Sequence, residues 1–266
     1  MAKLTKAQAK AHQQACDLLK KDSLSDDDKE FVLRNWQESA TNINTVAGAF
    51  FTPLELAMDF AIEAHEGRII DLCAGIGMLS YAATMRNVYN TVPLEITCVE
   101  INPEYVEVGK KILPEATWIN ASVFDVLDMD LGRFDFAISN PPFGAVKRPD
   151  GKKAPRYTGA DFEFHVIDIA SHIADHGVFL VPRMSAGFDY SGRQGYARQK
   201  SGKAFDFQNK TGLYFEPGCG VDTAIYRNQW RGVSPICEIV CIDFLRTEEK
   251  SCALRVDQFD LFGDAA

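Results

Sequence analysis

The chain has 266 residues, 46% of them hydrophobic, which is enough for one large or two small domains around a sizeable core, and its formal net charge is -9. No apolar run approaches the roughly 18 residues of a membrane span, and the Lys-rich start MAKLTKAQAKAHQQAC lacks the apolar stretch of a signal peptide, so a cytoplasmic protein without membrane contact is expected. The acidic total argues against indiscriminate nucleic-acid binding, although an average hides local fields.

Residues 1–47 read as a helical accessory segment or lid. An Ala-rich stretch, LTKAQAKAHQQACDLLKK, is followed by an acidic turn and by LSDDDKEFVLRNWQESA, where Ser25 caps a helix ahead of Asp28. From about residue 68 the pattern changes. Short β-rich runs (RIIDLC, LEITCVE, ATWIN, FDFAIS, GVFLVP) alternate with helical stretches (GMLSYAATMRNVY, PEYVEVGKKIL, DFEFHVIDIASHIADH). Repeated strand–helix–strand units predict an α/β domain over 48–250 with a mostly parallel sheet and helices on both faces. After Pro182 a polar, basic segment runs to about residue 210. DTAIYRNQW and PICEIVCIDFL then predict an antiparallel hairpin at the sheet edge, which brings the sheet to seven strands. Residues 251–266 form a polar tail. Seven cysteines occur without a CxxC pair or a histidine at zinc spacing, so they read as reduced structural thiols with no metal. Cys237 and Cys241 share one face of the last strand.

In IIDLCAGIGML, Asp71 closes a strand, and Cys73, Ala74, Gly75 and Gly77 form the turn into the next helix. Glycines there let a ligand approach unpaired helix N–H groups. Position 80 is Ser, so the dinucleotide pattern G-x-G-x-x-G is incomplete, and an acid opening the loop suits an ammonium group better than a pyrophosphate. The next strand ends CVEINP, which places Glu100 and Ile101 at a neighbouring tip, where a carboxylate can accept from both ribose hydroxyls.

FDFAISNPPFG brings Asn140 to the same carboxyl edge. An exocyclic amine such as adenine N6 is a poor nucleophile because its lone pair is delocalised into the ring. The Asn140 amide oxygen and the Pro141 carbonyl can each accept an amine hydrogen and so localise that pair. Pro141 and Pro142 fix φ and keep the carbonyl aimed, and Phe143 offers a face for stacking a base. Two segments carry cations near this edge: 144–157, with Lys147, Arg148, Lys152, Lys153 and Arg156, and 184–210, with Arg193, Arg198, Lys200 and Lys203. Both are candidates for phosphate contact, and Phe188 or Tyr190 for a second stacking face.

FFTP, DLCAGIG, CVEINP and NPPF, in that order, resemble the S-adenosylmethionine-dependent amino-methyltransferases, in particular the gamma arrangement of DNA adenine-N6 methyltransferases, over residues 45 to 185. The resemblance implies a Rossmann-like class I methyltransferase fold and S-adenosylmethionine as cofactor. It places the methionine part at Phe51, Thr52 and Pro53, the glycine loop at Asp71, Gly75 and Gly77, the ribose acid at Glu100, and the catalytic loop at Asn140–Phe143. An acid or polar residue near the cofactor adenine is expected as Ser122 or Asp125. Base flipping and adenine methylation in double-stranded DNA is the expected activity. RNA adenine or guanine amino-methyltransferases and protein glutamine methyltransferases use related loops, while cytosine-N4 enzymes usually begin theirs with Ser; a non-catalytic binding module is a further class. Large family members carry a separate target-recognition domain, for which there is little room here, so sequence reading falls to the basic loops. QFDLF, with Gln258, Leu261 and Phe262, resembles the peptide by which bacterial proteins dock on the sliding clamp, departing at Phe259, and implies a clamp partner and a bacterial or phage origin.

Overall fold

The computed structural model describes residues 5–37, 50–88, 90–148, 151–231 and 234–246. The expected clamp-docking motif at Gln258, Leu261 and Phe262, and the boundary drawn at residue 47, lie outside the described residues.

Two capped helices open the chain. In α1 (Lys6–Leu18) Thr5 and Gln8 form a capping box, and in α2 (Asp26–Asn35) Ser25 and Asp28 form the one expected from sequence. Asp26, Asp27 and Asp28 in the first turn of α2 complement the positive end of its dipole. Ala15, Val32, Leu33 and Trp36 turn inward onto α3 (Leu54–Phe60) and share its core layer.

The sheet is assembled from β1 (Gly67–Leu72), β2 (Leu94–Glu100), β3 (Thr117–Asn120), β4 (Phe134–Ser139) and β5 (Ala174–Pro182), all parallel, with β8 (Cys237–Asp243) antiparallel against β5. Strand order is β3-β2-β1-β4-β5-β8. β1 is covered on both faces, so Ile69 enters one core layer while Ile70 and Leu72 enter the other. The first layer holds α3, α4 (Met78–Asn87) and α5 (Pro103–Ile112) with the N-terminal helices. The second is built on α6 (Phe162–Ala170) and α7 (Lys203–Thr211).

Among the described residues the main sheet has six strands where seven are expected. DTAIYRNQW is not a strand: Thr223–Tyr226 forms a 3-10 turn, because the Asp222 side chain accepts from Ala224 N and offers the backbone a local alternative to a ladder. β8 therefore pairs directly with β5. β6 (Phe188–Asp189) and β7 (Ala197–Arg198) form a separate two-stranded ribbon, and Lys203–Thr211 within the basic segment is helical. Cys237 is buried and Cys241 half-buried in the first layer, and the described cysteines are free thiols. Among the described residues no helix is long and apolar enough to cross a membrane.

Candidate active site

Chain order reverses between β1 and β4, and loops leaving their carboxyl ends diverge, opening a crevice at the sheet's topological switch point. A cavity of about 420 Å³ lies there, walled by the turn after β1, the end of β2, the loop after β4 and the residues entering α3.

Asp71, 1% exposed, ends β1 inside this cavity. Its Oδ2 accepts from Ser80 Oγ at 2.7 Å, while Oδ1 is buried without a hydrogen-bond partner among the described residues. Burial, helped by the nearby Glu100 carboxylate and opposed by the Ser80 hydrogen bond, pushes the Asp71 carboxyl up to about 7. A buried acceptor left unpaired is costly, and a ligand ammonium would satisfy it. Cys73, at φ 64°, makes the sharp exit from β1 in a region that residues with a side chain rarely adopt. At Gly75 an added Cβ would stand 3.1 Å from the Phe51 ring.

Glu100 closes β2 at 7% exposure. Its two oxygens accept from Gly75 N and Asn102 N, each at 2.8 Å, which ties the glycine turn to the neighbouring strand tip. Burial raises its carboxyl to about 6, and these backbone N–H groups hold it from rising further.

Asn140 enters from β4. Its Nδ2 donates to Phe50 O at 2.8 Å and to Thr52 Oγ1 at 2.9 Å, so both amide hydrogens are used and Oδ1 is left as an acceptor. Ser139 Oγ donates to the Leu72 carbonyl, which joins the ends of β4 and β1. Behind the loop, Gly144 N donates to buried Glu163 at 2.8 Å, and Phe162 N donates to Gly144 O at 2.8 Å.

Of the residues singled out from sequence, Phe51, Thr52, Asp71, Cys73, Ala74, Gly75, Glu100, Ile101, Ser122, Asn140, Pro142 and Lys147 line this one cavity. Pro53, Gly77, Pro141, Phe143 and Asp125 do not. Pro53 and Gly77 cap α3 and α4, and Asp125 is paired at the surface with Lys152, so Ser122 is the polar residue presented to the cavity. Phe188 is 1% exposed in the second core layer and Tyr190 packs against that layer; neither reaches the cavity.

The basic segments divide. Arg156 is spent on the fold: it donates to fully buried Asp168 at 2.8 Å, to Thr211 O at 3.1 Å and to Ser171. Arg148 donates to Gly159 O at 3.0 Å and meets His165. Lys203 lies 2.7 Å from Asp161 Oδ1, beside the loop after β4. Arg198 pairs with Glu216 in a separate groove of about 640 Å³ along β5 and β8. Lys147, Lys153, Arg193 and Lys200 are exposed.

The sequence reading did not single out Phe50, Asn102, Tyr105, Val146 and Phe162, which also wall the cavity. Phe50 is the first residue of the quoted FFTP, of which only the last three were assigned a role, and Asn102 caps α5 with Pro103 at its first position, a signal legible just after Glu100. Phe162 is brought in by an Ala145–Asp161 bridge that has no sequence signature. Among the described residues no cluster of three or more His, Cys, Asp or Glu side chains is placed to hold a metal ion.

Residues 54–154 match the family model described as Methyltransferase small domain. No curated protein matches the chain in sequence. Among solved structures, one assigned as a class I S-adenosylmethionine-dependent methyltransferase from Listeria monocytogenes is 13% identical, with a TM-score of 0.58 over 89% of this chain and 80% of its own. A type I restriction-modification system methyltransferase subunit from Streptococcus thermophilus is 15% identical, with a TM-score of 0.53 over 85% of this chain; the match spans 51% of that subunit, about half its length. The architecture is the Rossmann-like class I methyltransferase fold, mostly parallel with an antiparallel edge strand. Residues 54–154 thus carry a methyltransferase domain within that fold, and the domain implies S-adenosylmethionine as cofactor. The unpaired Asp71 oxygen, the Glu100 carboxylate at the β2 tip and the close approach allowed at Gly75 fit that cofactor's ammonium and ribose groups.

Proposed function

We propose that this methyltransferase acts on the exocyclic N6 amine of an adenine flipped out of duplex DNA. The observation that carries the reading is Asn140, whose anchored amide leaves Oδ1 as an acceptor in the same cavity as Asp71 and Glu100. In this reading Asp71 takes the cofactor's ammonium group, Glu100 its ribose hydroxyls, and Ser122 its adenine side, while Phe51 and Thr52 wall the methionine part. When bound, S-adenosylmethionine supplies a methyl group activated by a sulfonium sulfur. Asn140 Oδ1 and the Pro141 carbonyl each accept one hydrogen of the target amine, which draws the nitrogen towards a tetrahedral shape with its lone pair directed out of the ring plane. No strong base is needed beforehand; as the new N–C bond forms the S–C bond breaks, and the proton that the methylated amine sheds passes to water. Phe143, half-buried at the end of the loop, stacks on the extruded base, a contact worth about 1 to 3 kcal/mol in comparable cases.

Three features favour DNA adenine over the other acceptors. The loop begins with Asn rather than Ser, which disfavours cytosine N4, and it ends in Phe rather than the Tyr of the glutamine enzymes. Lys147 at the cavity and exposed Lys153, Arg193 and Lys200 offer phosphate contacts. The S. thermophilus protein of like fold is, by name, part of a restriction-modification system. The N-terminal helices fit an accessory role, since Trp36 packs on Phe51 and Tyr105 at ring distances of 5.9 and 5.4 Å. The QFDLF motif adds clamp docking to the proposal, checked by comparing a 251–266 peptide with its Leu261→Ala, Phe262→Ala form on purified bacterial clamp.

The test is incubation of the purified protein with methyl-labelled S-adenosylmethionine and duplex DNA, RNA or peptide, followed by digestion and mass spectrometry. Label is expected as N6-methyldeoxyadenosine. Label confined to RNA or to glutamine would overturn the proposal.

A further inference from the structure

Phe50 and Thr52 stand 90 and 88 residues before Asn140 in the chain, yet both meet its amide nitrogen. The consequence is chemical. An asparagine amide can turn by half a rotation about its last torsion and fill nearly the same volume, with oxygen and nitrogen exchanged. Only one of the two arrangements suits a target amine, which itself carries hydrogens: Oδ1 towards it makes a hydrogen bond, whereas NH₂ towards it sets donor against donor.

The surroundings of Asn140 choose between the two. A backbone carbonyl such as Phe50 O only accepts, and it lies 2.8 Å from Nδ2. In the turned arrangement two acceptor oxygens would occupy that contact. Thr52 is 3% exposed, and its Oγ1 accepts the second hydrogen at 2.9 Å. With both hydrogens taken, the nitrogen has nothing to gain by facing the acceptor.

We infer that Thr52 is a positioning residue, whose hydroxyl acts with the Phe50 carbonyl to hold Asn140 with Oδ1 presented to the target amine. This rests on the amine-methylation reading of the site. It also separates Thr52 from a simple wall of the cofactor cavity, because an orienting residue changes the rate of the bound complex and a cofactor ligand changes the affinity.

The test compares Thr52→Val, which keeps the shape and removes the acceptor, with Thr52→Ser, which keeps the hydroxyl. With duplex DNA as acceptor, Thr52→Val is expected to lower single-turnover methylation roughly tenfold, as the loss of one hydrogen bond implies, and to leave the Kd for S-adenosylmethionine within about twofold. Thr52→Ser is expected to restore most of the rate. In cofactor-free protein carrying ¹⁵N-labelled asparagine, the Asn140 side-chain amide hydrogens are expected to exchange slowly, and one of them about tenfold faster in Thr52→Val. A weakened cofactor Kd with an unchanged rate, equal losses in the Ser and Val variants, or amide exchange unmoved by Thr52→Val would each overturn the inference. The exchange measurement needs no acceptor. If it shows the contrast while the wild type methylates no DNA, the anchoring of Asn140 stands and the adenine reading falls.

Discussion

The cavity has two polar ends that are built differently. At the β1 and β2 tips, Asp71 and Glu100 are carboxylates almost wholly withdrawn from water, and burial raises both. At the β4 tip, Asn140 is a neutral amide, half-buried, with both hydrogens held by Phe50 and Thr52. A buried carboxylate with an unpaired oxygen gains most when a cation or hydroxyl arrives, so that end favours binding. A locked neutral amide gains little from the ground state and acts when the amine nitrogen begins to change shape, so that end favours rate.

The largest expected effect falls on the rate. Asn140→Ala should lower single-turnover methyl transfer by about a hundredfold to a thousandfold, with cofactor affinity nearly unchanged, read by stopped reactions alongside calorimetry. Turnover close to the wild-type value would break the comparison at its catalytic end.

Glu100→Ala sharpens the other end. Loss of a charge-assisted hydrogen bond of about 1.5 to 3 kcal/mol should raise the Kd for S-adenosylmethionine roughly tenfold or more, while the rate at saturating cofactor changes little. A rate loss that saturating cofactor does not restore would count against this division of labour.

The smallest effects separate the cations. Lys153→Ala should weaken duplex binding a few-fold, with a shallower salt dependence and an unchanged Tm. Arg156→Ala should instead lower Tm by several degrees, because it leaves buried Asp168 without its charged partner. Equal salt-dependent losses from the two would place Arg156 back at the nucleic acid.

Much of this was legible in the sequence because it rests on local rules. The parallel α/β order follows from alternating periodicities, and the shared carboxyl edge of Asp71, Glu100 and Asn140 follows from that order. Other features depend on contacts between distant segments. The roles of Arg156 and Lys203 are set by Asp168 on α6 and Asp161 at its N-cap, which a reading of charge along the chain does not reveal. Phe188 has the same sequence character whether it stacks on a ligand or fills a core; its position beside β7 decides for the core. The expected seventh strand was lost to Asp222, whose side chain turns the backbone locally despite the apolar residues that follow. The orientation of Asn140 is likewise invisible in NPPF and depends on residues contributed from before α3.

The difference between the two ends is tested most directly by a pH series from 5.5 to 8.5 that measures the S-adenosylmethionine Kd and the single-turnover rate at saturating cofactor in the same samples. Before cofactor binds, Asp71 titrates near 7 and Glu100 near 6, whereas an ammonium and ribose hydroxyls favour the ionised carboxylates. Binding therefore releases protons below those values, and affinity should rise with pH up to about 7 and then hold until the cofactor's own ammonium group deprotonates at about 8. Asn140 does not titrate, so the rate in the bound complex should stay flat across the range. A Kd independent of pH together with a rate that climbs through 6 to 7 would contradict the account, because it would place the titrating acids in the chemistry instead of the binding.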